Sequence, residues 1–268
     1  MNSTRDKLNA AFLNLPIKAF FAATKTDPVQ IESLFRKLAP RTTDKPLIRL
    51  GPRDDGGYLV LDDLAGITTC FSPGVSTVSG FELECASRGM DVFLADASVE
   101  APPDNHPKFK FIKNFIGAIN QDPFITMEEW VTIAQPDHSD DWLLQIDIEG
   151  SEYEVFLNMP TPILEKFRAI VVEFHFLDYL FDLPFFMLAS RAFERLLTSH
   201  VCVHIHPNNA DNVISCGDIR IPKTMEFTFH RRDRIQVGPT ATRFPHALDF
   251  DNVSGAAPQV LPSCWYKL

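Results

Sequence analysis

The sequence predicts an α/β fold in which one mostly parallel sheet ends in an antiparallel hairpin. From residue 47 onward, short apolar runs alternate with segments that carry helical signals, an order that is typical of parallel strands joined by helices. The runs themselves do not alternate between apolar and polar residues, as expected for strands covered on both faces. The last two runs have no convincing helix between them, which indicates the hairpin. The 268 residues are enough for one such domain.

Local signals place the elements along the chain. Strands are predicted at eight apolar runs, which are residues 58–61, 68–72, 91–95, 109–112, 143–148, 169–174, 201–205 and 226–230. Helices are predicted at residues 79–88 and 186–199, and after two capping boxes that begin at Thr126 and Ser151 and have a Glu three residues later.

The two ends of the chain differ from its centre. Asp27 and Pro28 predict the start of a helix that Pro40 ends, and we expect residues 1–45 to form a helical extension. Residues 46–233 are the predicted main domain. Residues 234–268 carry several prolines without regular periodicity, so we expect an irregular tail that packs on that domain.

Composition argues against several classes of protein. Lys and Arg number 25 against 35 Asp and Glu, which gives a net charge of −10. Because no segment forms a basic stripe, we expect no nucleic-acid partner. The most apolar stretch, residues 167–189, is interrupted by charged residues and a proline and predicts no transmembrane span. Five separated cysteines without a C-x-x-C pair predict neither a disulfide framework nor a zinc site, and they favour the cytoplasm.

Phenylalanine is unusually frequent, with 23 Phe against 4 Tyr and 3 Trp. Such an excess predicts either a large core or an apolar surface with a function. A cluster lies around the end of the predicted strand at residues 169–174 and consists of Phe174, Phe176, Tyr179, Phe181, Phe185 and Phe186. We expect some of these rings to form a wall or lid that excludes water from the site. The alternative is that all of them lie in the core.

Ligands of such sheets bind beyond the carboxyl ends of the strands, so the candidate cofactor residues are sought there. Gly74 follows one strand and lets the backbone approach a ligand closely, although a purely structural turn explains it equally well. Asp96 lies 22 positions after Gly74 and ends the next strand, where a carboxylate can accept both hydroxyls of a ribose. The further glycines that accommodate a pyrophosphate are missing from the turn, which favours S-adenosylmethionine over a dinucleotide.

Charged residues also end the two later strands. Asp147 and Glu149 come at the end of one, and Glu173 and His175 share a face at the end of the next. Because buried charges are usually paired, metal-bound or catalytic, we predict Asp147, Glu173 and His175 as catalytic. His175 is the predicted general base, unless it only pairs with Glu173. Asp147 and Glu173 would also suit Mg²⁺, but the spacing offers no third ligand, so no metal ligand is predicted.

Several histidines lie near the predicted terminal hairpin. His204 and His206 share one strand face, and we expect His206 and Asn208 to line the pocket of the second substrate. A loop stabilised by its own Asn-Asn turn is the alternative. His200 and His230 are expected at the surface.

Residues 147–153, read Asp-Ile-Glu-Gly-Ser-Glu-Tyr, resemble the signature of the FkbM-type methyltransferase family. Residues 54–58, 71–75, 81–82 and 93–98 resemble the cofactor half of the same family and of its animal methyltransferase-like relatives. The resemblance spans residues 47–232. It departs from the family at Ala97, where the family usually has a proline.

This resemblance implies a class I methyltransferase (Rossmann-like) fold, with a seven-stranded sheet whose last strand is antiparallel. It implies transfer of a methyl group from S-adenosylmethionine to a hydroxyl of a glycan, a glycolipid or a polyketide-like small molecule. The cofactor contacts expected on this basis are Ser72, Pro73, Gly74, Val75, Asp96, Ala97, Asn114, Phe115 and Asp147. On the acceptor side we expect Tyr58, Glu149, His206 and Asn208.

Two alternatives to a methyltransferase remain compatible with the sequence. A nucleotide-dependent oxidoreductase would share the fold but would need the missing glycines. A catalytically silent scaffold is compatible with the same sequence, because a fold does not determine a function. The sequence makes no prediction of the oligomeric state.

Overall fold

A computed structural model describes residues 24–75, 78–137 and 141–267 of the protein. Seven strands form one sheet at its centre. The strands are β1 (Arg41–Thr43), β2 (Leu47–Leu50), β3 (Tyr58–Leu61), β4 (Ile67–Pro73), β5 (Asp91–Ala95), β6 (Phe109–Ile112), β7 (Phe115–Gly117), β8 (Phe124–Thr126), β9 (Asp141–Ile146), β10 (Phe167–Phe174), β11 (His200–Pro207), β12 (Val213–Cys216), β13 (Ile219–Pro222), β14 (Met225–Arg231) and β15 (Val237–Thr240). The helices are α1 (Pro28–Leu38), α2 (Gly80–Ser87), α3 (Met127–Ala134), α4 (Glu152–Asn158), α5 (Thr161–Leu164) and α6 (Leu183–Ser199). Short 3-10 helices lie at Leu177–Phe181, Arg232–Arg234 and Ser263–Trp265.

The central sheet has the strand order β11-β14-β10-β9-β4-β5-β6. β14 runs antiparallel to both of its neighbours, and the other adjacent pairs are parallel. From β4 the chain moves towards one edge of the sheet through β5 and β6, and from β9 it moves towards the other edge through β10 and β11 before β14 is inserted between those two, so the direction of winding reverses between β4 and β9. This is the class I methyltransferase type of Rossmann-like fold, and the predicted fold class is confirmed.

Seven of the eight predicted strands belong to this sheet, and the eighth lies outside it. Residues 58–61 form β3, which pairs with β2 in a separate antiparallel hairpin. A second small hairpin, β12 with β13, lies between β11 and β14 along the chain. The predicted terminal hairpin therefore exists, but it has an insertion at its tip.

Apolar side chains cover both faces of the sheet. All eight residues of β10 are buried, and the rings of Phe71, Trp142 and Phe167 pack together within the core. Eight Phe side chains are among the largest fully buried groups of the protein, and they are Phe35, Phe71, Phe81, Phe156, Phe167, Phe174, Phe193 and Phe227. Much of the phenylalanine excess therefore belongs to the core.

The predicted N-terminal helix is α1. Asp27 caps it by accepting a hydrogen bond from the Val29 N–H at 2.9 Å. Phe35 of this helix stacks on Trp265 with 3.7 Å between the ring centroids, so the C-terminal segment packs against the helix. Residues 1–23 of the predicted extension lie outside the described residues, and the three domain boundaries stay predictions.

The composition of the chain predicts neither a transmembrane span nor a disulfide framework. Over the described ranges, no helix is both long enough and apolar enough to cross a bilayer. All five cysteines carry free thiols.

The prediction that His200 and His230 lie at the surface is wrong. Both residues are 0 % exposed, and their Nε2 atoms lie 2.7 Å from the Phe167 carbonyl oxygen and 3.1 Å from Asp63 Oδ2, respectively. Burial lowers the pKa of each imidazole to about 4. Both side chains are therefore neutral in the folded protein near pH 7.

We predict that acid destabilises the protein partly through His200. Its pKa is lowered from 6.5 to about 4 by folding, so below pH 6.5 the unfolded state binds more protons and stability is lost as the pH falls towards 4. His200→Gln keeps an N–H donor for the Phe167 carbonyl but does not titrate. The free energy of unfolding of this variant should fall less steeply, by up to about 1.4 kcal/mol per pH unit. Urea unfolding of both proteins across this pH range is the measurement, and parallel profiles would contradict the prediction.

Candidate active site

The candidate site lies where β4 and β9 end, at the point where the winding of the sheet reverses. Gly74 follows β4 with a φ of +91°, and its N–H donates to the Ala95 carbonyl at 3.1 Å. A Cβ atom at this position would clash with the carbonyl oxygen of Asp147. Glycine is therefore required both for the backbone conformation and for the close approach of the two strand ends.

A cleft with a volume of about 450 Å³ opens at these strand ends. It is lined by Gly74, Ala95, Asp96, Ser98, Phe115, Ile116, Phe124, Asp147, Ile148, Glu149 and Ser151. Five of the residues predicted for the site are among them, namely Gly74, Asp96, Phe115, Asp147 and Glu149. The structure thus brings together predicted residues from four separate segments of the chain.

Other residues predicted to contact a cofactor lie beside this cleft rather than in its wall, and they are Ser72, Pro73, Val75, Ala97 and Asn114. The Ser72 hydroxyl is buried, at 2.5 Å from Glu82 Oε1 and 2.6 Å from Gln145 Oε1. The Asn114 amide donates to the Pro123 carbonyl at 3.2 Å. Ser72 therefore links β4 to α2 and β9, and Asn114 holds the loop that precedes β8.

Asp96 connects the loops that border the cleft. Its Oδ2 accepts a hydrogen bond from the Val75 N–H at 3.1 Å, and its Oδ1 accepts from the N–H and the hydroxyl of Ser98 at 2.7 and 2.6 Å. Ser76 and Thr77, which complete the predicted turn after Gly74, lie outside the described residues. The carboxylate thus fixes the shape of the cleft as well as lining it.

One flank of the cleft is apolar. Phe115 and Phe124 are 36 % and 37 % exposed, with ring centroids 5.4 Å apart, and Ile116 is buried beside them. The short parallel pairing of β7 with β8 places Phe124 opposite Phe115. Phe124 is not among the residues predicted from the sequence, because nothing local signals this pairing. Two half-exposed rings suit a flat, apolar part of a ligand.

Four carboxylates surround one imidazole at the other side of the cleft. His175 Nδ1 lies 3.1 Å from Glu152 Oε1, and His175 Nε2 lies 3.8 Å from Asp147 Oδ1, 3.6 Å from Glu149 Oε2 and 3.9 Å from Glu173 Oε2. We call these five residues the carboxylate–imidazole cluster. It contains all three residues predicted as catalytic, and the role of Glu152 in it is a finding of the structure.

Glu152 also shapes the loop that carries this cluster. It is fully buried, and its Oε1 accepts hydrogen bonds from the Ile148 and Gly150 N–H groups, each at 3.1 Å. Glu149 and Gly150 have φ angles of +57° and +109°, so the loop reverses and returns Glu149 towards His175. The predicted strand accordingly ends at Ile146.

The capping box predicted at Ser151 is wrong. Ser151 has helical backbone angles, with φ −84° and ψ 0°, and its side chain makes no capping hydrogen bond. A capping side chain normally needs an extended backbone at its own position. Thr126 has such a backbone and caps α3 as predicted, accepting from the Glu129 N–H at 3.2 Å.

Burial and mutual repulsion favour protonated groups in the cluster. Burial, followed by the charge of Glu173, raises the pKa of Asp147 well above its usual range, and burial raises the pKa of Glu173. Burial alone would lower the pKa of His175, but the hydrogen bond with Glu152 and the surrounding carboxylates raise it. Such an excess of negative groups attracts a proton or another cation.

A polar row extends from the cluster across the sheet. The strand register places Glu173 opposite Glu226, and Glu226 opposite His206. Asn208 donates to Glu173 Oε1 at 2.7 Å, whereas His206 faces Asp249 and lines a separate cavity. The structure therefore does not place His206 in the main cleft, because β14 lies between them.

Tyr58 reaches the site from outside the central sheet. It lines a cavity of about 60 Å³ that shares Gly74 and Asp147 with the main cleft. Its hydroxyl accepts a hydrogen bond from Gln145 Nε2 at 3.4 Å. The hairpin of β2 and β3 thus contributes a wall of the site.

Only part of the predicted phenylalanine wall lies at the site. Phe176 and Tyr179 are 36 % and 54 % exposed and stack with 5.9 Å between their centroids. The Phe176 ring packs so closely on Gly150 that a Cβ atom there would clash with it. Phe174 and Phe186 are buried in the core instead.

No protein-family model and no curated protein matches the sequence. Solved structures resemble it at low identity. A structure described as a candidate methyltransferase of an antibiotic biosynthesis pathway from Anabaena variabilis is 14 % identical, with 72 % of this chain and 68 % of that chain covered and a TM-score of 0.32. A candidate RNA methyltransferase from Pyrococcus horikoshii is 9 % identical, with 62 % and 76 % covered and a TM-score of 0.31.

A 16S rRNA adenine methyltransferase from Catenulisporales acidiphilia is 8 % identical, with 69 % of this chain and 98 % of that chain covered and a TM-score of 0.29. At these TM-scores the likenesses carry no argument about function. The fold is therefore established by the strand order of the protein itself.

We predict that Gly74→Ala destabilises the protein far more than Gly89→Ala. Both glycines have a positive φ, but a Cβ atom at Gly89 meets no atom within 4 Å. Gly89→Ala should cost only the strain of the left-handed conformation, about 1–2 kcal/mol. Gly74→Ala adds the clash with Asp147 and should cost roughly 3–5 kcal/mol. Urea unfolding of the two variants tests this, and equal losses would mean that the strand ends separate easily.

Proposed function

We propose that the protein is a methyltransferase that transfers the methyl group of S-adenosylmethionine to a hydroxyl group. The observation that carries the proposal is the position of the cleft in this strand order. It lies at the switch point of the sheet, between the glycine turn after β4 and Asp96 after β5. A carboxylate there can accept the ribose hydroxyls, and the turn lacks the glycines that make room for a pyrophosphate.

The lining of the cleft suits the parts of this cofactor. The apolar slot of Phe115, Ile116 and Phe124 would take the adenine ring, Asp96 would bind the ribose, and the backbone at Gly74 would face the methionine part. The cleft volume of about 450 Å³ lies within the usual range for small-molecule sites, roughly 300–1,000 Å³. The family resemblance supports the same arrangement and makes FkbM-type membership part of the proposal.

The sulfonium group of the bound cofactor supplies the methyl group and a good leaving group. The protein has to align the acceptor oxygen with that methyl group, exclude water and take up the hydroxyl proton. Asp147 and Glu149 line the cleft, and His175 lies directly behind them, so the carboxylate–imidazole cluster is where we place the acceptor hydroxyl. Phe176 and Tyr179 would cover this place.

We propose a neutral, hydroxyl-bearing acceptor, such as a glycan, a glycolipid or a polyketide-like molecule. The cluster places the carboxyl groups of Asp147 and Glu149 in the wall of the cleft, and the whole chain carries a net charge of −10. Both features repel phosphate groups, so nucleic acid is not proposed as the acceptor. A cytoplasmic location remains part of the proposal because of the free thiols.

Ligand binding tests the proposal before the acceptor is identified. S-adenosylhomocysteine at about 100 times its Kd should stabilise the protein by about 2.7 kcal/mol, and NAD should not. Phe115→Ala should weaken this binding about tenfold, since stacking on one aromatic ring contributes roughly 1–3 kcal/mol. Ile119→Ala is the matched control, because Ile119 is exposed and lies outside the cleft wall. The measurements are thermal unfolding and calorimetric titration.

Two outcomes would contradict the proposal. Stabilisation by NAD but not by the thioether would favour the oxidoreductase alternative. Absence of binding by S-adenosylmethionine and S-adenosylhomocysteine would exclude the proposed cofactor.

Methyl transfer itself is the second test. With methyl-labelled cofactor and a panel of glycans, glycolipids and polyketide-like alcohols, we expect a labelled product whose methyl group resists base, as an ether does and an ester does not. Asp147→Asn and His175→Ala should lower the transfer rate much more than the affinity for the cofactor. Wild-type rates in both variants would show that the cluster is not the place of transfer.

A further inference from the structure

Three different side chains of the cluster direct ligand-type atoms to one point. Asp147 Oδ1, Glu149 Oε2 and His175 Nε2 all lie within 4.8 Å of one another. They come from the ends of two adjacent parallel strands, β9 and β10. Spacing along the sequence did not reveal this set, because the positive φ of Glu149 is what returns its side chain to His175.

One of the oxygen atoms at this point lacks a hydrogen-bond donor. Asp147 Oδ1 is buried and has no hydrogen-bond partner. The Glu173 side chain is 7 % exposed, and its Oε2 faces the same imidazole at 3.9 Å. Among the described residues, no Lys or Arg nitrogen lies within 4 Å of the carboxylates of Asp147, Glu149 or Glu173. Buried carboxylates usually have a compensating positive charge, and within the described ranges no Lys or Arg supplies one to Asp147 or Glu173.

His175 is held as a metal-ligating histidine commonly is. Its Nδ1 lies 3.1 Å from the fully buried Glu152 Oε1, so Nε2 is turned towards Asp147 and Glu149. A carboxylate on one ring nitrogen fixes the tautomer and makes the other nitrogen a better ligand. Glu152 is itself fixed by the N–H groups of Ile148 and Gly150.

We infer that Asp147, Glu149 and His175 bind a divalent metal ion, with Glu173 close enough to complete the set. Bonds of about 2.1 Å place neighbouring donor atoms about 3.0–3.4 Å apart. The observed separations of 3.8 and 3.6 Å from His175 Nε2 need to shorten by only a few tenths of an ångström. Glu149 is 89 % exposed, so its side chain is free to make that adjustment.

The donor set indicates the kind of ion. Carboxylate oxygens suit Mg²⁺ and Mn²⁺, and an imidazole nitrogen shifts the preference towards transition metals. Mn²⁺ accepts both kinds of ligand and is the probe of choice. Because Asp147 and Glu149 also line the cleft, the remaining coordination positions of the ion would open into it.

The coordination positions that open into the cleft restrict the class of acceptor. This conclusion rests on the proposed function. An ion with two adjacent open positions binds two neighbouring oxygen atoms, so the acceptor would carry adjacent hydroxyl groups, as sugars do. The ion would hold the acceptor and stabilise negative charge on its oxygen. His175 is then a ligand of the ion and not the general base, and the hydroxyl proton, made more acidic by the ion, would pass to water in the open cleft.

The test is a titration of the full chain with Mn²⁺ alone, followed by loss of the electron paramagnetic resonance signal of free Mn²⁺. Wild-type protein should bind one ion. Glu149→Gln should weaken binding at least tenfold, and Glu154→Gln, an exposed residue on α4 with the same change of charge, should leave it unchanged. Asp147→Asn is a second variant that removes a less exposed ligand.

The outcomes separate this inference from the proposed function. No binding at millimolar Mn²⁺, or equal binding by wild type, Glu149→Gln and Asp147→Asn, would overturn the metal site while the thioether titration still tests the methyltransferase. Binding of Mn²⁺ without binding of S-adenosylhomocysteine would support the metal site and contradict the function. If Mn²⁺ and S-adenosylhomocysteine both bind, chelation of the metal should abolish methyl transfer to a vicinal diol and leave the affinity for S-adenosylhomocysteine unchanged. Methyl transfer that survives chelation would exclude a role of the ion in the reaction.

Discussion

The contact between the turn at Gly74 and the backbone of Asp147 sets the arrangement of all the loops at this edge of the sheet. The Asp147 N–H also donates to the Pro73 carbonyl at 3.4 Å, so the two strand ends are joined beyond the regular ladder. Asp147 therefore starts its loop from a fixed position, and the reversal at Glu149 and Gly150 follows from there. The hydrogen bond from Val75 to Asp96 adds the loop after β5 to the same framework. A cleft formed in this way is built mainly by backbone geometry, and its shape is preorganised before any ligand arrives.

The buried charges form one connected system that extends well beyond the cleft. Glu173 and Glu226 each accept a hydrogen bond from an amide side chain, Asn208 in one case and Asn252 in the other, both at 2.7 Å. A neutral amide donor stabilises the charge of a carboxylate less than a cation does. Burial accordingly raises the pKa of Glu226 to about 8. Since Asn252 belongs to the C-terminal segment, that segment contributes to the electrostatics of the site although it supplies no residue to the cleft wall.

The elements of the sheet were predictable because their signals are local. Apolar runs, the aspartate before α1 with the proline that begins the helix, and the threonine before α3 act through neighbours in sequence. The failures involve pairings and backbone conformations that no local pattern signals. His230 is buried because Asp63, 167 positions away, accepts its hydrogen bond, and Phe124 lies in the cleft because β8 pairs with β7. The grouping of Glu149 with His175 depends on a positive φ at a non-glycine residue, a conformation that sequence patterns rarely indicate.

The strand order also has a consequence for the synthesis of the chain. β10 ends at residue 174, but β14, its neighbour on one side, begins only at residue 225, and β11 is made between the two. At about 5–20 residues per second, the ribosome needs several seconds to add the intervening stretch. During that interval one edge of β10, a strand buried along its whole length in the finished sheet, has no partner. Such an edge can pair with another chain, so the nascent chain is open to incorrect strand pairing until β14 has been inserted.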